Sequence, residues 1–370
     1  MLILGIETSC DDTSIAVLSA TRAGGSANSD GGKAEGEQFE VLSNVVSSQV
    51  KIHSEFGGVV PLLAAREHER NLPLVLQEAF KVSGLKFKDI DLVAVTSGPG
   101  LIMSLVKGVN FAKELAKQNN KPIIGVNHIS GHIYSNWLDG KTPEFPALCL
   151  IVSGGHTELV LMHDHPTSLK LRGTGGKYEL VGRTVDDASG EAFDKIARML
   201  GLPYPGGPKI SREAKKFKAS EANAANEAIS LPRPMLHSKD LNFSFSGLKT
   251  SVLYYIRDLK VPLESVRAEI AHEAQEAIVD VLISKTKKAI ELHQPKSILL
   301  AGGVSANTLL REKFQALSFK LKIAAFIPPM QYTTDNAAMI ALAGYYEAKS
   351  YKLKAISFPK FEANANWEIA

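Results

Sequence analysis

The chain states one plan twice. Leu2 to Ile6 and Ser14 to Leu18 are short apolar runs, joined by the polar stretch Glu7-Thr8-Ser9-Cys10-Asp11-Asp12-Thr13. Ala147 to Val152 and Leu159 to Met162 repeat the pattern, joined by the glycine turn Ser153-Gly154-Gly155-His156-Thr157. Each unit is followed by an apolar strand that ends in glycines and opens a helix: Leu92 to Thr96 before Ser97-Gly98-Pro99-Gly100, and Ser297 to Ala301 before Gly302-Gly303. Duplicated order of this kind predicts an α/β fold of two lobes facing each other across a cleft. The turns at the strand ends line such a cleft, where open α/β sheets bind ligands.

The remaining segments fit between these landmarks. Val41 to Gln49 reads as a strand, Leu62 to Val82 as a helix with Pro73 as its kink, and a further helix runs from the Ser97 to Gly100 turn to about Gln118. Residues 22–38 are rich in Gly, Ser, Ala and Asn and read as a flexible insertion. The expected division is a first lobe over 1–132, a second over 133–345 with a helical insertion, and a tail over 346–370 that packs back on the first lobe. With 370 residues, 45% of them hydrophobic, there is ample material for two cores. Only Cys10 and Cys149 are present, which excludes a disulfide framework and fits a reducing compartment. No apolar run is long enough to span a bilayer, and the first residues lack the marks of a leader, so a cytoplasmic location is expected. A net charge of +3 permits a nucleic-acid partner without requiring one.

His128-Ile-Ser-Gly-His132 follows the strand Ile123 to Val126. Histidines four apart share one helix face and can reach one metal ion. A His-Glu-x-x-His protease carries its general base directly after the first histidine. Ile129 stands there and cannot move a proton, so a metal held here serves to hold a ligand rather than to cut a peptide. Thr334-Asp335-Asn336 opens a late helix. Asp335 is either a helix cap or the carboxylate of a two-His, one-carboxylate site.

The glycine turns offer ligand contacts. Ser153 to Thr157 presents backbone amides, hydroxyls and an imidazole suited to an anion, or forms a plain tight hairpin. Gly302 to Asn307 sits at a strand-to-helix junction; Asn307 either binds a purine or ribose or caps the helix. Glu191 to Lys195 begins an amphipathic helix, and Asp194, read by itself, faces solvent.

As a set, Gly5 to Thr13, Phe56-Gly57-Gly58-Val59-Val60-Pro61, Gly98-Pro99-Gly100-Leu101, His128 to His132, Ser153 to Thr157, Asp186 to Lys195, Tyr204-Pro205-Gly206-Gly207-Pro208, Phe245-Ser246-Gly247-Leu248-Lys249-Thr250, Gly302 to Asn307 and Thr334-Asp335-Asn336 resemble the TsaD family of tRNA threonylcarbamoyladenosine transferases, once called glycoproteases. The resemblance implies a two-lobed fold like that of actin, Hsp70 and the sugar kinases. It implies transfer of the threonylcarbamoyl group from threonylcarbamoyl-AMP to N6 of the adenosine 3′ of the anticodon in tRNAs reading codons that begin with A. It implies one divalent metal, Fe or Zn, on His128, His132 and Asp335. Ser153, Gly154, Gly155, His156, Thr157, Asp194, Gly207 and Asn307 would contact the adenylate, in a cleft that also admits ATP or ADP. The implied partners are tRNA, the helpers TsaB and TsaE or a second copy in a homodimer, and a TsaC-type synthase that supplies the donor. Leu62, Thr333 and Arg183 depart from the usual pattern, where Glu, Cys and an acidic residue are common.

Two other classes compete. An ATPase or phosphotransferase of the same fold would use carboxylates such as Glu7 or Asp11 as base or Mg ligand, but Mg prefers oxygen donors to a histidine pair. A nucleotide-binding scaffold without catalysis would tolerate loss of both histidines. The basic clusters Lys209 to Lys218 and Lys285 to Lys288 read as solvated helix faces or, on a tRNA-binding protein, as phosphate contacts.

Overall fold

A computed structural model of the protein describes residues 1–22, 37–166, 178–217, 229–350 and 361–369. Among the described residues, ten strands form two five-stranded sheets of one topology. The first contains β1 (Leu2–Glu7), β2 (Asp12–Arg22), β3 (Glu37–Ser48), β4 (Leu92–Gly98) and β5 (Ile123–Asn127), in the order β3-β2-β1-β4-β5. The second contains β6 (Ala147–Val152), β7 (Thr157–Met162), β8 (Tyr178–Arg183), β9 (Ser297–Ala301) and β10 (Ala324–Phe326), in the order β10-β9-β6-β7-β8. In each sheet the first three strands are antiparallel and the last two run parallel to the first. The duplication expected from the turns is therefore present strand for strand. The predicted insertion at 22–38 lies almost wholly outside the described residues.

The helices are α1 (Val50–Ser54), α2 (Pro61–Ser83), α3 (Ile102–Gln118), α4 (His128–Tyr134), α5 (Ser189–Met199), α6 (Gly206–Ala214), α7 (Ser246–Arg257), α8 (Leu263–His293), α9 (Thr308–Leu321) and α10 (Ala337–Ser350). Helix α2 is a single element that continues through Pro73.

Strand alternation sorts the core into layers. On β1, Leu4 and Ile6 face outward into a cluster with Leu72 and Val75 of α2 and Val109 and Ala112 of α3. On β6, Leu148 and Leu150 face the opposite outside, against Phe193 of α5 and Ile278 of α8. The inward residues of both sheets, among them Ile3, Ala94, Cys149 and Ile151, share one buried cluster with Ile129 and Ile133 of α4 and with α10. Helices α4 and α10 thus fill the space between the sheets.

The placement of α10 is the decisive feature. It follows the last strand of the second sheet, yet it packs across β1, β2, β4 and β5 of the first. Two glycines permit the approach: a Cβ on Gly5 would lie 2.1 Å from the Ala337 carbonyl oxygen, and one on Gly344 would lie 2.4 Å from the Ala94 Cβ. The result is the two-lobed fold of the actin, Hsp70 and sugar-kinase class. Among the described residues, no helix is long and apolar enough to cross a membrane.

Residues 361–369 lie along the ends of β4 and β5. The Asn364 amide donates to the Ser97 carbonyl at 2.7 Å, Asn127 Nδ2 donates to the Trp367 carbonyl at 3.1 Å, and Lys113 Nζ sits 4.8 Å from the centre of the Phe361 ring.

Candidate metal centre and ligand-binding turns

Helix α4 begins directly at the end of β5. The Asn127 side chain caps it, accepting from the Ile129 and Ser130 amides at 2.9 and 3.2 Å. The cap fixes the helix start, and His128 and His132 follow on one face with ring centres 4.6 Å apart. Both are buried.

Asp335 arrives from the other side, just before α10. The cap of that helix is its neighbour Asn336, whose Oδ1 accepts from the Met339 amide at 3.1 Å. Asp335 is therefore released from capping and reaches the histidines: its Oδ1 lies 3.1 Å from His132 Nε2 and 3.5 Å from His128 Nε2. The ligand atoms of the three residues all lie within 4.8 Å of one another. Asp335 keeps 22% of its side chain exposed, so the cluster is open on one side.

Three observations fit this trio to a metal ion. Neither ring nitrogen of the buried His132 makes a hydrogen bond, an expensive omission for a group removed from water. The contact between His132 Nε2 and Asp335 is close but misdirected for a hydrogen bond, as expected of two ligands aimed at a shared third atom. The donor set, two imidazoles and one carboxylate, suits a transition metal or zinc.

A residue without a place in the reading of the metal site completes it. Glu7, wholly buried at the end of β1, takes His128 Nδ1 on its Oε2 at 3.0 Å. The same carboxylate accepts from Thr96 Oγ1 and the Ser9 amide, both at 2.5 Å. This is the arrangement in which a carboxylate fixes the tautomer of a metal-binding histidine and leaves Nε2 to the metal. In sequence Glu7 stands out only as a carboxylate at a strand end, and nothing there pairs it with His128. Electrostatics concur. Burial alone would push His128 down, but Glu7 and Asp335 outweigh it and raise it to about 9. Burial pushes the other way on Asp335, yet His128 and His132 hold its carboxyl at about 2. The pocket favours a cation.

The glycine turn between β6 and β7 stands beside this centre. Burial first, then the neighbouring His128 and His132, lower His156 to about 4, leaving it a neutral imidazole at physiological pH. Ser153 braces the turn, its Oγ accepting from the His156 amide at 3.0 Å. Gly154 and Gly155 are exposed with open space where a Cβ would project. Thr157 is wholly buried and points inward; its hydroxyl joins Ser189 at the start of α5. Gly302, at φ +88, brings its backbone against Val152, where a Cβ would lie 2.4 Å from the carbonyl oxygen. That contact sets the Gly302 to Asn307 turn beside the first glycine turn.

Asp194 does not face solvent. It is half-buried, and its Oδ1 accepts from the Gly206 amide at 2.6 Å, with the Gly207 amide close by. It thereby caps α6 and holds Gly207 in place. Burial, chiefly, raises its carboxyl above the ordinary range. Asn307 takes its capping role, accepting from the Leu310 amide at 3.0 Å, and donates to Ser211 Oγ and Gln275 Oε1. Across the cleft Tyr204 donates to Asp11 Oδ2 at 3.4 Å, and the Arg198 guanidinium donates to the Gly57 carbonyl.

The departures from the usual pattern have local explanations. Leu62 is half-exposed in the first turn of α2. The Thr333 hydroxyl closes a turn on the Met330 carbonyl at 2.8 Å. Arg183 pairs with Glu368 at 3.7 Å. Lys285 is not on a solvated face: its side chain is 1% exposed, and Nζ donates to Ser238 Oγ and the Asp240 carbonyl at 2.6 and 2.9 Å. Lys288 donates to the carbonyls of Ser238 and Lys239. Both fasten the 238–240 loop.

Comparison with known proteins agrees with this architecture. Residues 40–342 match the family model of tRNA N6-adenosine threonylcarbamoyltransferase. The protein of that name from Thermosipho africanus is 46% identical over 372 residues, covering all of both chains. That of Thermodesulfovibrio yellowstonii is 46% identical over 93% of this chain and 94% of its own. That of Bacillus subtilis is 44% identical over 93% and 90%. Among solved structures, HypF of T. kodakarensis shares the fold, with a TM-score of 0.54 at 13% identity over 95% of this chain and 48% of its own. The chain is an acyltransferase and belongs to the tRNA N6-adenosine threonylcarbamoyltransferase family.

Proposed function

We propose that this enzyme transfers the threonylcarbamoyl group of threonylcarbamoyl-AMP to N6 of the adenosine 3′ of the anticodon, position 37, in tRNAs that read codons beginning with A. The convergence of His128, His132 and Asp335 beside the 153–157 turn, in a chain of this family, carries the reading. The donor is a mixed anhydride and already activated. The N6 amine attacks the carbamoyl carbon, the bond from that carbon to the phosphate oxygen breaks, AMP leaves, and the proton shed by N6 passes to solvent. No covalent enzyme intermediate is needed. The protein's task is to position a weak nucleophile and to neutralise charge on the leaving phosphate.

In this proposal His128, His132 and Asp335 hold one divalent ion, Fe or Zn. When bound, that ion supplies a positive charge with vacant positions for donor oxygens. The open amides of Gly154 and Gly155, with neutral His156, receive the anionic part of the donor, and Asp194, Gly207 and Asn307 shape the wall for its nucleoside. ATP or ADP, which share the adenylate end, would occupy the same wall. Glu7 orients His128 and, with its acceptor positions engaged by His128, Thr96 and Ser9, is not a free base.

The first lobe over 1–132, the second over 133–345 and the tail from 346 form the working division in this reading. TsaB and TsaE helpers, or a second copy of the chain, would present the tRNA in the cytoplasm, and a TsaC-type enzyme would make the donor. A reconstituted assay with tRNA, threonine, bicarbonate, ATP and a synthase, adding helpers one at a time, tests the reading by nucleoside mass spectrometry. Modified adenosine that disappears on chelation and returns with Fe or Zn is expected. Phosphoryl transfer to small acceptors without tRNA would defeat it.

A further inference from the structure

A cavity lies against helix α4, which carries the two histidines of the metal centre. It measures about 220 Å³, and its lining includes Pro99 and Ile129 from the first sheet's side, His156, Glu158 and Arg183 from the second, and Trp367 from the C-terminal segment. Ile129, which directly follows His128 on α4, and His156 of the glycine turn both line it, so the cavity and the metal trio share helix α4.

We propose that this cavity receives the acceptor base of the RNA, stacked against Trp367 with its amino edge turned toward Glu158 and the 153–157 turn. The inference rests on the transfer reading above and names where the nucleophile enters. Size is the first argument. The volume falls below the ~300–1,000 Å³ of pockets that enclose a drug-sized ligand, so it suits one ring system rather than a whole adenylate. Chemistry is the second. Sequence-specific RNA sites commonly take splayed loop bases on aromatic side chains and read their edges by hydrogen bonds. Trp367 provides the platform, Ile129, Leu180 and Pro99 the apolar walls, and the Glu158 carboxyl an acceptor for an N–H edge.

Anchoring is the third. A stacking platform must be rigid, and Trp367 is tied by its carbonyl to Asn127, the residue that caps the histidine helix. Asn364 is fixed to Ser97, and Gly98 packs so closely on the Asn364 carbonyl that a Cβ would have no room. The platform and the metal trio therefore share one mount. Glu158 and Arg183 are partners in the β7–β8 register. The Arg183 side chain is 61% exposed at the mouth, where it also meets Glu368, and can receive a neighbouring phosphate.

The test uses the full-length enzyme with its helpers and a tRNA carrying 2-aminopurine at the acceptor position. Wild type should change the probe's fluorescence on binding. Trp367→Ala should abolish that change and raise KM for natural tRNA about tenfold, the scale of one lost base stack. Trp367→Phe should restore most of it, and affinity for a non-hydrolysable adenylate analogue should stay unchanged in both. Should Trp367→Ala fail to fold, Glu158→Leu, which removes the acceptor, gives an independent reading through the same KM and probe signal. Wild-type KM and signal in Trp367→Ala, or in Glu158→Leu where the alanine variant is unfolded, would overturn the pocket while leaving the transfer reading intact. A wild-type enzyme that modifies no tRNA under any helper combination would overturn both.

Discussion

His132 Nε2 lies 3.1 Å from Asp335 Oδ1; His132 stands on the helix that follows β5, and Asp335 just before the helix that follows β10, the corresponding strand of the other sheet. The metal trio is thus assembled where the two repeats meet, and its geometry depends on how the lobes are held together.

Glu7→Gln should leave the fold intact and weaken metal binding. The amide still accepts from His128 but no longer carries the charge that fixes the ring. Loss of such an outer partner costs roughly 10–100-fold in metal affinity. Competitive chelator titration followed by elemental analysis measures it; unchanged affinity would remove Glu7 from the site.

Gly5→Ala should destabilise the protein and disturb the centre together. Its methyl would collide with the Ala337 carbonyl in the first turn of α10, two residues after Asp335. Overpacking of this kind costs about 1–3 kcal/mol. Urea unfolding should show the loss, and bound metal should fall in the same preparation.

Lys285→Met should cost about 1–3 kcal/mol by leaving Ser238 Oγ without its donor and the Asp240 carbonyl with only the longer 3.4 Å bond from Lys288. The slope of tRNA affinity against salt should not change, since the ammonium is enclosed by its own loop. A slope reduced by about one unit would return Lys285 to the RNA surface.

Asp187 gives a pH signature. Burial works to raise its carboxyl, but Lys195 and Lys249, at 2.8 and 2.7 Å, outweigh burial and hold it below the ordinary 3.8. The stabilisation is therefore complete above that ordinary value and is lost as pH falls through the lowered one. Asp187→Asn should reduce stability at neutral pH, and the gap to wild type should close toward pH 3. A constant gap in urea midpoints across that range would refute the ion pairs as its source.

The central strands were legible in the sequence because they hold apolar runs closed by glycine or a polar turn. The edges of the second sheet, β8 and β10, were not, since Tyr178–Arg183 mixes polar and apolar residues and Ala324–Phe326 is only three residues long. The metal trio was legible in part. The i, i+4 spacing gives the two histidines, but Asp335 or Asn336 could serve as cap, and only the packing of α10 shows which does. Glu7 and Trp367 were hidden for the same reason. Their partners, His128 and Asn127, are distant in the chain, and no local period connects them. Asp194 reads as solvent-facing because a helix wheel does not include the Gly206 and Gly207 amides that turn it inward. Lys285 misleads because a lysine cluster looks basic, whereas the loop that encloses this one is set by tertiary contacts.

The crossing of α10 has a consequence for any attempt to divide the molecule. The first repeat, expressed alone, would leave the inner face of its sheet wet and greasy, and the second would carry a surplus apolar helix with nothing to cover. Neither piece should stay soluble by itself, yet the two co-produced should find each other, because each carries what the other lacks.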